Sequence, residues 1–313
     1  MSLDKNLENL FLNVSSRAAL SSSYLVGKKD KIAADKAAVD AMRSELNKID
    51  MKGKIVIGEG ELDKAPMLYI GEKVGTNNGP DLDIAVDPLE GTNFAAYNLP
   101  GALSVIAVAE KSNLFNAPET YMDKIAISST AKDVVDLDFS IKKNISNLSE
   151  FKNKKPNELT ACLLDRPRHK RIIEELKNLG VKLKLLTDGD VSGALLVSKE
   201  SYNIDIFLGI GGGPEGVLAA SALDSLGCFF QGRFIFETEN DKKRAKKMGI
   251  ENFDKKYELN EIVSGDSIFC ATGITSGDLV SGIKIEDGNF VSETFITHKS
   301  SNFKSTIIKK EKI

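Results

Sequence analysis

From residue 159 onward the chain alternates short apolar runs with helix-length amphipathic segments, and that alternation leaves few folds open. Residues 159–164 precede a helical pattern at 171–179. The pair 181–186 and 191–199 follows, and then 204–210 and 216–226. Continuous apolar runs of this length suit strands buried on both faces, and a helix between successive strands makes them parallel. The pattern predicts a doubly wound α/β half over 158–313.

The first half reads differently. Leu3, Leu7, Leu10, Phe11, Val14, Ala18 and Leu25 form a helical stripe over 3–26, ending near Gly27. A second helix is predicted over 30–48, with Asp35, Val39, Met42 and Leu46 spaced i, i+4, i+7 and i+11. That spacing puts Asp35 on a buried face, where a carboxylate must be paired, hydrogen-bonded or metal-bound. Strands are expected at 54–57, 82–86, 102–109 and 124–128. The polar stretch 140–157, with Lys142, Lys143, Lys152, Lys154 and Lys155, is the expected boundary. It gives domains at 1–157 and 158–313. Asp287-Gly288, between alternating apolar segments in 283–297, predicts a hairpin.

Bulk properties exclude several classes. The 313 residues allow two ordinary domains. A net charge of −3 implies no basic face for nucleic acid, and the absence of Trp removes a common base-stacking platform. Cys162, Cys228 and Cys270 lie far apart in apolar runs and read as buried thiols of a reducing compartment. No apolar stretch approaches the roughly 18 residues of a membrane span, and the N-terminus lacks a signal-peptide core. A protein of the cytoplasm is expected, with neither nucleic acid nor membrane as partner.

Chemistry concentrates in acidic loops. Asp87-Pro88-Leu89-Glu90-Gly91-Thr92 follows the apolar Ile84-Ala85-Val86, so Asp87 is expected at the carboxyl end of a strand, where open α/β sheets place ligands. Pro88 is expected to stop the ladder, and Gly91 to let the backbone approach a bound group. Two acids and a hydroxyl in six residues suit a hard cation holding a phosphate, the pattern of a metal-dependent phosphatase. The competing reading is a strand-to-helix turn with an acidic cap. Gly58-Glu59-Gly60-Glu61-Leu62-Asp63 is a second acidic strand end, or an acidic surface turn.

Gly211, Gly213 and Gly216 satisfy the dinucleotide spacing G-x-G-x-x-G, but Glu215 would repel a pyrophosphate unless a cation lay between. Arg166-Pro167-Arg168-His169-Lys170-Arg171 opens a helix against its dipole, which a bound phosphate would offset; a solvated basic turn is the alternative. Thr187-Asp188-Gly189-Asp190 follows a strand and precedes a helix; a cap with a turn accounts for one Asp more readily than for both. His169 and His298 are the only histidines, which disfavours a His-rich zinc site. Carboxylates point instead to Mg²⁺ or Mn²⁺.

Taken together, these segments and Asn116-Ala117-Pro118 and Ala271-Thr272-Gly273-Ile274-Thr275 resemble class II fructose-1,6-bisphosphatase of the GlpX type, in order and over nearly the whole chain. That family lies within the lithium-sensitive sugar and inositol phosphatases. The resemblance implies an α/β, layered sugar-phosphatase fold (α-β-α-β-α) built of two α/β halves, a metal-binding phosphatase domain first and a substrate-binding domain second. It implies two divalent ions, one held by Asp35 and Glu59 and the other by Asp87, Glu90 and Glu215. The catalytic set would be Thr92, Asp63 and Glu90. Substrate contacts would come from Lys31, Glu90, Gly91, Thr92, Tyr121, Arg166, Pro167, Arg168, Asp188, Gly189, Asp190 and Gly212.

The implied reaction is hydrolysis of the C1 phosphate of fructose 1,6-bisphosphate by a metal-activated water, with Thr92 positioning or deprotonating that water. Arg166 and Arg168 would grip the distal phosphate, and Asp188 and Asp190 would accept from sugar hydroxyls. Asn93 stands where many relatives carry Arg, and is similar to relatives that also act on sedoheptulose 1,7-bisphosphate. The segment around 237–247 is shorter than in some relatives. A homodimer or homotetramer is expected by resemblance. The alternative from another class is a nucleotide-binding regulatory protein built on the glycine loop.

Overall fold

The computed structural model describes residues 2–60, 67–129, 131 and 133–313. In chain order come helices α1 (Asn6–Ser23) and α2 (Lys31–Leu46), then strands β1 (Lys52–Ile57), β2 (Lys73–Val74) and β3 (Asp81–Glu90). A short α3 (Thr92–Ala96), β4 (Leu103–Glu110), β5 (Tyr121–Ile127) and α4 (Ile141–Lys152) follow. The alternating region supplies β6 (Thr160–Leu164), α5 (Lys170–Asn178), β7 (Lys182–Leu186), α6 (Asp190–Leu195), β8 (Ile206–Gly212) and α7 (Gly213–Leu226). After β9 (Phe229–Ile235), α8 (Glu239–Lys247), β10 (Lys256–Glu258) and α9 (Leu259–Ile262), the chain ends in β11 (Ser267–Gly273), β12 (Lys284–Glu286), β13 (Asn289–His298) and β14 (Phe303–Lys312).

Two compact units result: residues 1–116 with 263–313, and residues 117–262. The boundary expected at 157 falls inside the second unit. Lys142, Lys143 and Lys152 of the stretch that suggested a boundary belong to an amphipathic helix, in which Lys142 and Lys143 face water while Ile145 and Leu148 are buried. Lys152 and Lys154 then anchor its end, both donating to the buried Asp205 carboxylate at 2.9 and 2.8 Å. The last four strands return to the first unit.

In the first unit the described residues form one eight-stranded sheet, in the order β12-β13-β11-β4-β3-β1-β2 with β14 paired to β13. Only β1 and β3 pair in parallel; the rest is antiparallel. α1 packs on this sheet through Leu7, Phe11, Val14 and Ala18, which share one core with Met42 and Leu46 of α2 and with Ile84, Ile106 and Ile268. Leu10, expected on the buried stripe, is exposed. Asp287 and Gly288 turn the β12–β13 hairpin with φ of 49° and 72°, the pairing a primed turn demands.

The second unit has a six-stranded sheet ordered β10-β9-β5-β8-β6-β7. Parallel pairing is confined to β8-β6-β7, while β5, β9 and β10 are antiparallel, so the predicted doubly wound half is the core of a mixed sheet. Apolar residues on one face of β5, β6 and β8 pack with Ile145, Leu148 and Leu176 of α4 and α5. The opposite face receives α6, whose Gly193 lies against Phe207 and Cys162. Cys162, Cys228 and Cys270 are buried and form no disulfide with one another. Among the described residues no helix is long and apolar enough to cross a membrane.

Candidate active site

In the first unit, topology gathers the acidic loops at one end of the sheet. β1 and β3 are neighbours running in the same direction, with Ile57 opposite Ala85, so Glu59 and Asp87 both leave at carboxyl ends. Glu59 donates its amide to the Leu68 carbonyl at 3.0 Å. A Cβ on Gly58 would sit 1.9 Å from that same carbonyl, so only glycine admits the clamp. β3 does not stop at Pro88 as expected. It runs on to Glu90 through an irregularity in which Asp87 faces Val105 but Glu90 faces Leu103, one residue more on β3 than on β4. This bulge accommodates the proline that a regular ladder would reject.

Past the bulge, Gly91 adopts φ 79° and ψ 52°, a left-handed conformation that costs glycine nothing, and it turns the chain into α3. Glu90 is buried and Asp87 and Thr92 are half-buried. The loop between α1 and α2 is bound to α3, since Gly27 and Lys29 donate to the carbonyls of Ala95 and Ala96 at 2.9 Å each. That contact brings the start of α2, with Lys31 and Asp35, to the same end. Lys31 lies over the Tyr97 ring at 5.9 Å. Asp35 is half-buried rather than fully buried, and burial raises its carboxyl above the usual range. Asp63 lies outside the described residues, as does Glu61.

The second unit makes a separate constellation at the carboxyl ends of β6, β7 and β8. The chain leaves β6 toward β7 on one side and returns to β8 on the other, so β6 is a topological switch point. Arg166 follows β6, and its guanidinium lies 3.7 Å from Asp188 after β7. Arg168 donates from Nε to the Ile210 carbonyl at 2.8 Å and stacks over Tyr121, the first residue of β5, at 4.6 Å. Pro167 starts the 3₁₀ turn that separates the two arginines. His169 is buried beneath them. Its Nε2 accepts from the Ile210 amide at 2.7 Å, which leaves Nδ1 to donate to the Leu164 carbonyl at 2.6 Å.

The glycine loop is shaped by acids. A Cβ on Gly211 would lie 2.0 Å from Asp190 Oδ2, and one on Gly212 would lie 1.7 Å from Glu215 Oε2. A Cβ on Gly216 would meet Met122 Sδ at 2.6 Å and Lys124 Cδ at 3.3 Å. Of the three glycines with dinucleotide-like spacing, Gly211 is crowded by Asp190, Gly213 by Phe234 and Gly216 by Met122, so neighbouring side chains account for the absence of a Cβ at each. Gly189, at φ 84°, turns β7 into α6 and directs Asp190 inward, where its carboxylate pairs with the buried ammonium of Lys124. Lys124 also donates to the Gly212 carbonyl at 2.7 Å. Glu215 keeps some residue surface, but its Oε2 is buried without a hydrogen-bond partner. Burial raises the Glu215 carboxyl above its ordinary range, Lys124 opposing and Asp190 and Asp188 adding.

The family model for bacterial fructose-1,6-bisphosphatase, glpX-encoded, matches residues 5–311. The chain belongs to this family. It is 43% identical over 298 residues to the D-fructose 1,6-bisphosphatase class 2/sedoheptulose 1,7-bisphosphatase of Trichodesmium erythraeum, covering 87% of this chain and 86% of that one. A protein of the same name from a Synechocystis strain is 40% identical over 337 residues, covering 99% and 98%. Among solved structures, an inositol monophosphatase from Anabaena (Nostoc) covers 62% of this chain and 72% of its own, with a TM-score of 0.32 and 14% identity.

Within this family member, two acids suit a divalent ion on structural grounds of their own. The buried Oε2 of Glu215 and the desolvated carboxyl of Asp35 are both hard oxygen donors whose charged forms a cation would stabilise. Among the described residues no three His, Cys, Asp or Glu side chains converge as a metal-holding group. Lys124 was not singled out from the sequence. The available signal was a charged pair, Asp123-Lys124, inside an otherwise apolar strand. Nor did the sequence mark the buried trio in which His298 Nδ1 and Nε2 lie 2.6 and 3.1 Å from Glu8 and Asp266, because Glu8 is 290 residues from His298 and Asp266 is 32 residues from it.

Proposed function

We propose that this chain hydrolyses the C1 phosphate of D-fructose 1,6-bisphosphate to fructose 6-phosphate and phosphate, in the cytoplasm. The observation that carries this reading is the Asp87-Pro88-Leu89-Glu90-Gly91-Thr92 bulge at the carboxyl end of β3, beside Glu59 on its parallel neighbour, in a chain that matches its family from residue 5 to residue 311. Asp35 and Glu59 would hold one divalent ion and Asp87 and Glu90 a second, with Glu215 a further hard-oxygen donor; all-carboxylate donors favour Mg²⁺ or Mn²⁺. When bound, such ions supply neutralisation of phosphoryl charge and a lowered pKa for the attacking water.

The remaining work falls to this chain's own groups. Thr92, at the start of α3, orients the water and passes its proton toward a carboxylate, the role expected of Glu90 or Asp63. The water oxygen forms the new P–O bond as the bond from phosphorus to the C1 oxygen breaks, and that oxygen takes up a proton. Lys31 lies at the edge of the same loop cluster. Arg166 and Arg168, spaced by Pro167 and steadied by Asp188 and Tyr121, hold the distal phosphate. Gly91, Gly189 and Gly212 let backbone approach the sugar, and the turn at 188–190 supplies its hydroxyl contacts.

The test is phosphate release from fructose 1,6-bisphosphate with Mn²⁺, with Mg²⁺ and with chelator, beside sedoheptulose 1,7-bisphosphate and inositol phosphate. Metal-dependent turnover favouring the fructose ester is expected; no turnover with any ester would sink the reading. A second reading, action on both sugar bisphosphates, is favoured by Asn93 and by the printed names of the cyanobacterial relatives. Comparable kcat/KM for the two esters would establish it. The homodimer or homotetramer expected by resemblance is checked by light scattering.

A further inference from the structure

Among the described residues, Lys124 is a buried cation at the loop end of the second unit for which neither the motifs nor the reaction gives a role. It is 1% exposed on β5, an interior strand of its sheet, with Met122 and Ala126 on the same face. Its stem passes under Gly216, where a Cβ would stand 3.3 Å from Lys124 Cδ. Its ammonium ends between three segments distant in sequence: it pairs with Asp190 at the start of α6, donates to the Gly212 carbonyl at the end of β8, and lies close enough to Glu215 on α7 to oppose the burial of that carboxylate. Burying such a pair is a poor way to gain stability, since desolvating both charges offsets most of their attraction. What the pair does fix is geometry. Asp190 is held inward at 10% side-chain exposure, while Asp188, two residues earlier, stays at 23% and reaches toward Arg166.

We propose that Lys124 is a positioning residue for sugar recognition: by holding Asp190 and the Gly212 carbonyl, it sets the loop 187–190 so that Asp188, and not Asp190, meets the substrate hydroxyls. Lys124 acts through these two partners and touches no reacting atom. The inference rests on the sugar-bisphosphatase reading. Displacement of a binding loop by about an ångström is enough to cost on the order of a hundredfold in rate, so a single internal cation suffices as a control point.

The experiment compares wild type, Lys124→Met, Asp190→Asn and the double variant. Steady-state kinetics are read on fructose 1,6-bisphosphate and on p-nitrophenyl phosphate, which has neither sugar hydroxyls nor a second phosphate. Lys124→Met is expected to raise KM for the bisphosphate about tenfold while kcat falls less than about twofold, lowering selectivity for the bisphosphate over the small ester. The double variant is expected to be no worse than the poorer single one, because both substitutions undo the same contact. Equal losses on both esters, or additive effects, would assign Lys124 to folding alone and overturn the proposal. Should Lys124→Met fail to fold, the near-isosteric Asp190→Asn carries the test: unchanged selectivity overturns it and reduced selectivity supports it. A wild type inert toward both esters overturns the functional reading along with this inference, whereas an active wild type with unchanged selectivity in the variants overturns this inference only.

Discussion

Individual carboxylates in this protein do opposite things according to their surroundings, and the sequence could not tell them apart. Asp188 and Asp190 are two residues apart and chemically identical, yet one is half-exposed beside Arg166 and the other is sealed against Lys124. Glu215 is the least comfortable of them, with Oε2 buried and its carboxyl raised mainly by desolvation. A raised folded pKa means that ionising Glu215 near neutral pH works against folding. Glu215→Gln is therefore expected to raise the melting temperature of the metal-free protein at pH 7 while abolishing bisphosphate turnover; a lower melting temperature would contradict the burial argument. On the first unit, Asp87→Asn and Glu90→Gln are near-isosteric and are expected to keep the fold while kcat/KM falls about a hundredfold or more. Near-normal turnover in either would remove that residue from the metal site.

At the scale of elements, the sequence placed strands and helices well wherever period and punctuation agreed, and went astray where one residue type had two uses. The expected strands at 159–164, 181–186 and 204–210 lie close to β6, β7 and β8. Pro88, taken as a stop, is carried by a bulge, and the lysine-rich stretch 140–157, taken as a boundary, lies inside the second unit with Lys142, Lys143 and Lys152 on α4. The glycines of the β8–α7 loop have the dinucleotide spacing but serve to make room for Asp190, Glu215 and Lys124. Gly212→Ala tests this directly. A new Cβ 1.7 Å from Glu215 Oε2 displaces the end of a flexible side chain and not backbone. The fold is thus expected to survive, by circular dichroism, with activity reduced at least about tenfold because the carboxylate is displaced. Full activity would show that the Glu215 carboxylate has freedom to move aside at no cost.

For the whole molecule, buried polar contacts join residues that lie apart in the sequence. In the first unit His298 lies between Glu8 and Asp266. His298→Leu leaves two buried carboxylates without the ring between them and is expected to destabilise by about 3 kcal/mol, read from urea unfolding; a loss below about 1 kcal/mol would make the trio incidental. In the second unit, burial alone would raise Asp205, but Lys154, Lys152 and the Thr160 amide outweigh it and hold the carboxyl below its ordinary 3.8. A depressed folded pKa gives stability that is present above the unfolded value and lost as pH falls through the folded one. Asp266 acts with the same sign in the first unit, with Ser300, Leu3 and His298 outweighing burial. Through these two groups stability is therefore expected to fall below about pH 4. Asp205→Asn should flatten that acid limb in a denaturant series across pH; an unchanged limb would assign it to other groups. By itself the sequence determined the α/β class, the acidic loops and the family, because periodicity, Gly and Pro punctuation and motif order are local and survive without coordinates. Only the tertiary structure decided that the last four strands rejoin the first unit, that a proline sits within a continuing strand, and that Lys124 and Asp190 neutralise each other. These depend on pairing and burial between distant segments, and such contacts leave no periodic trace along the chain.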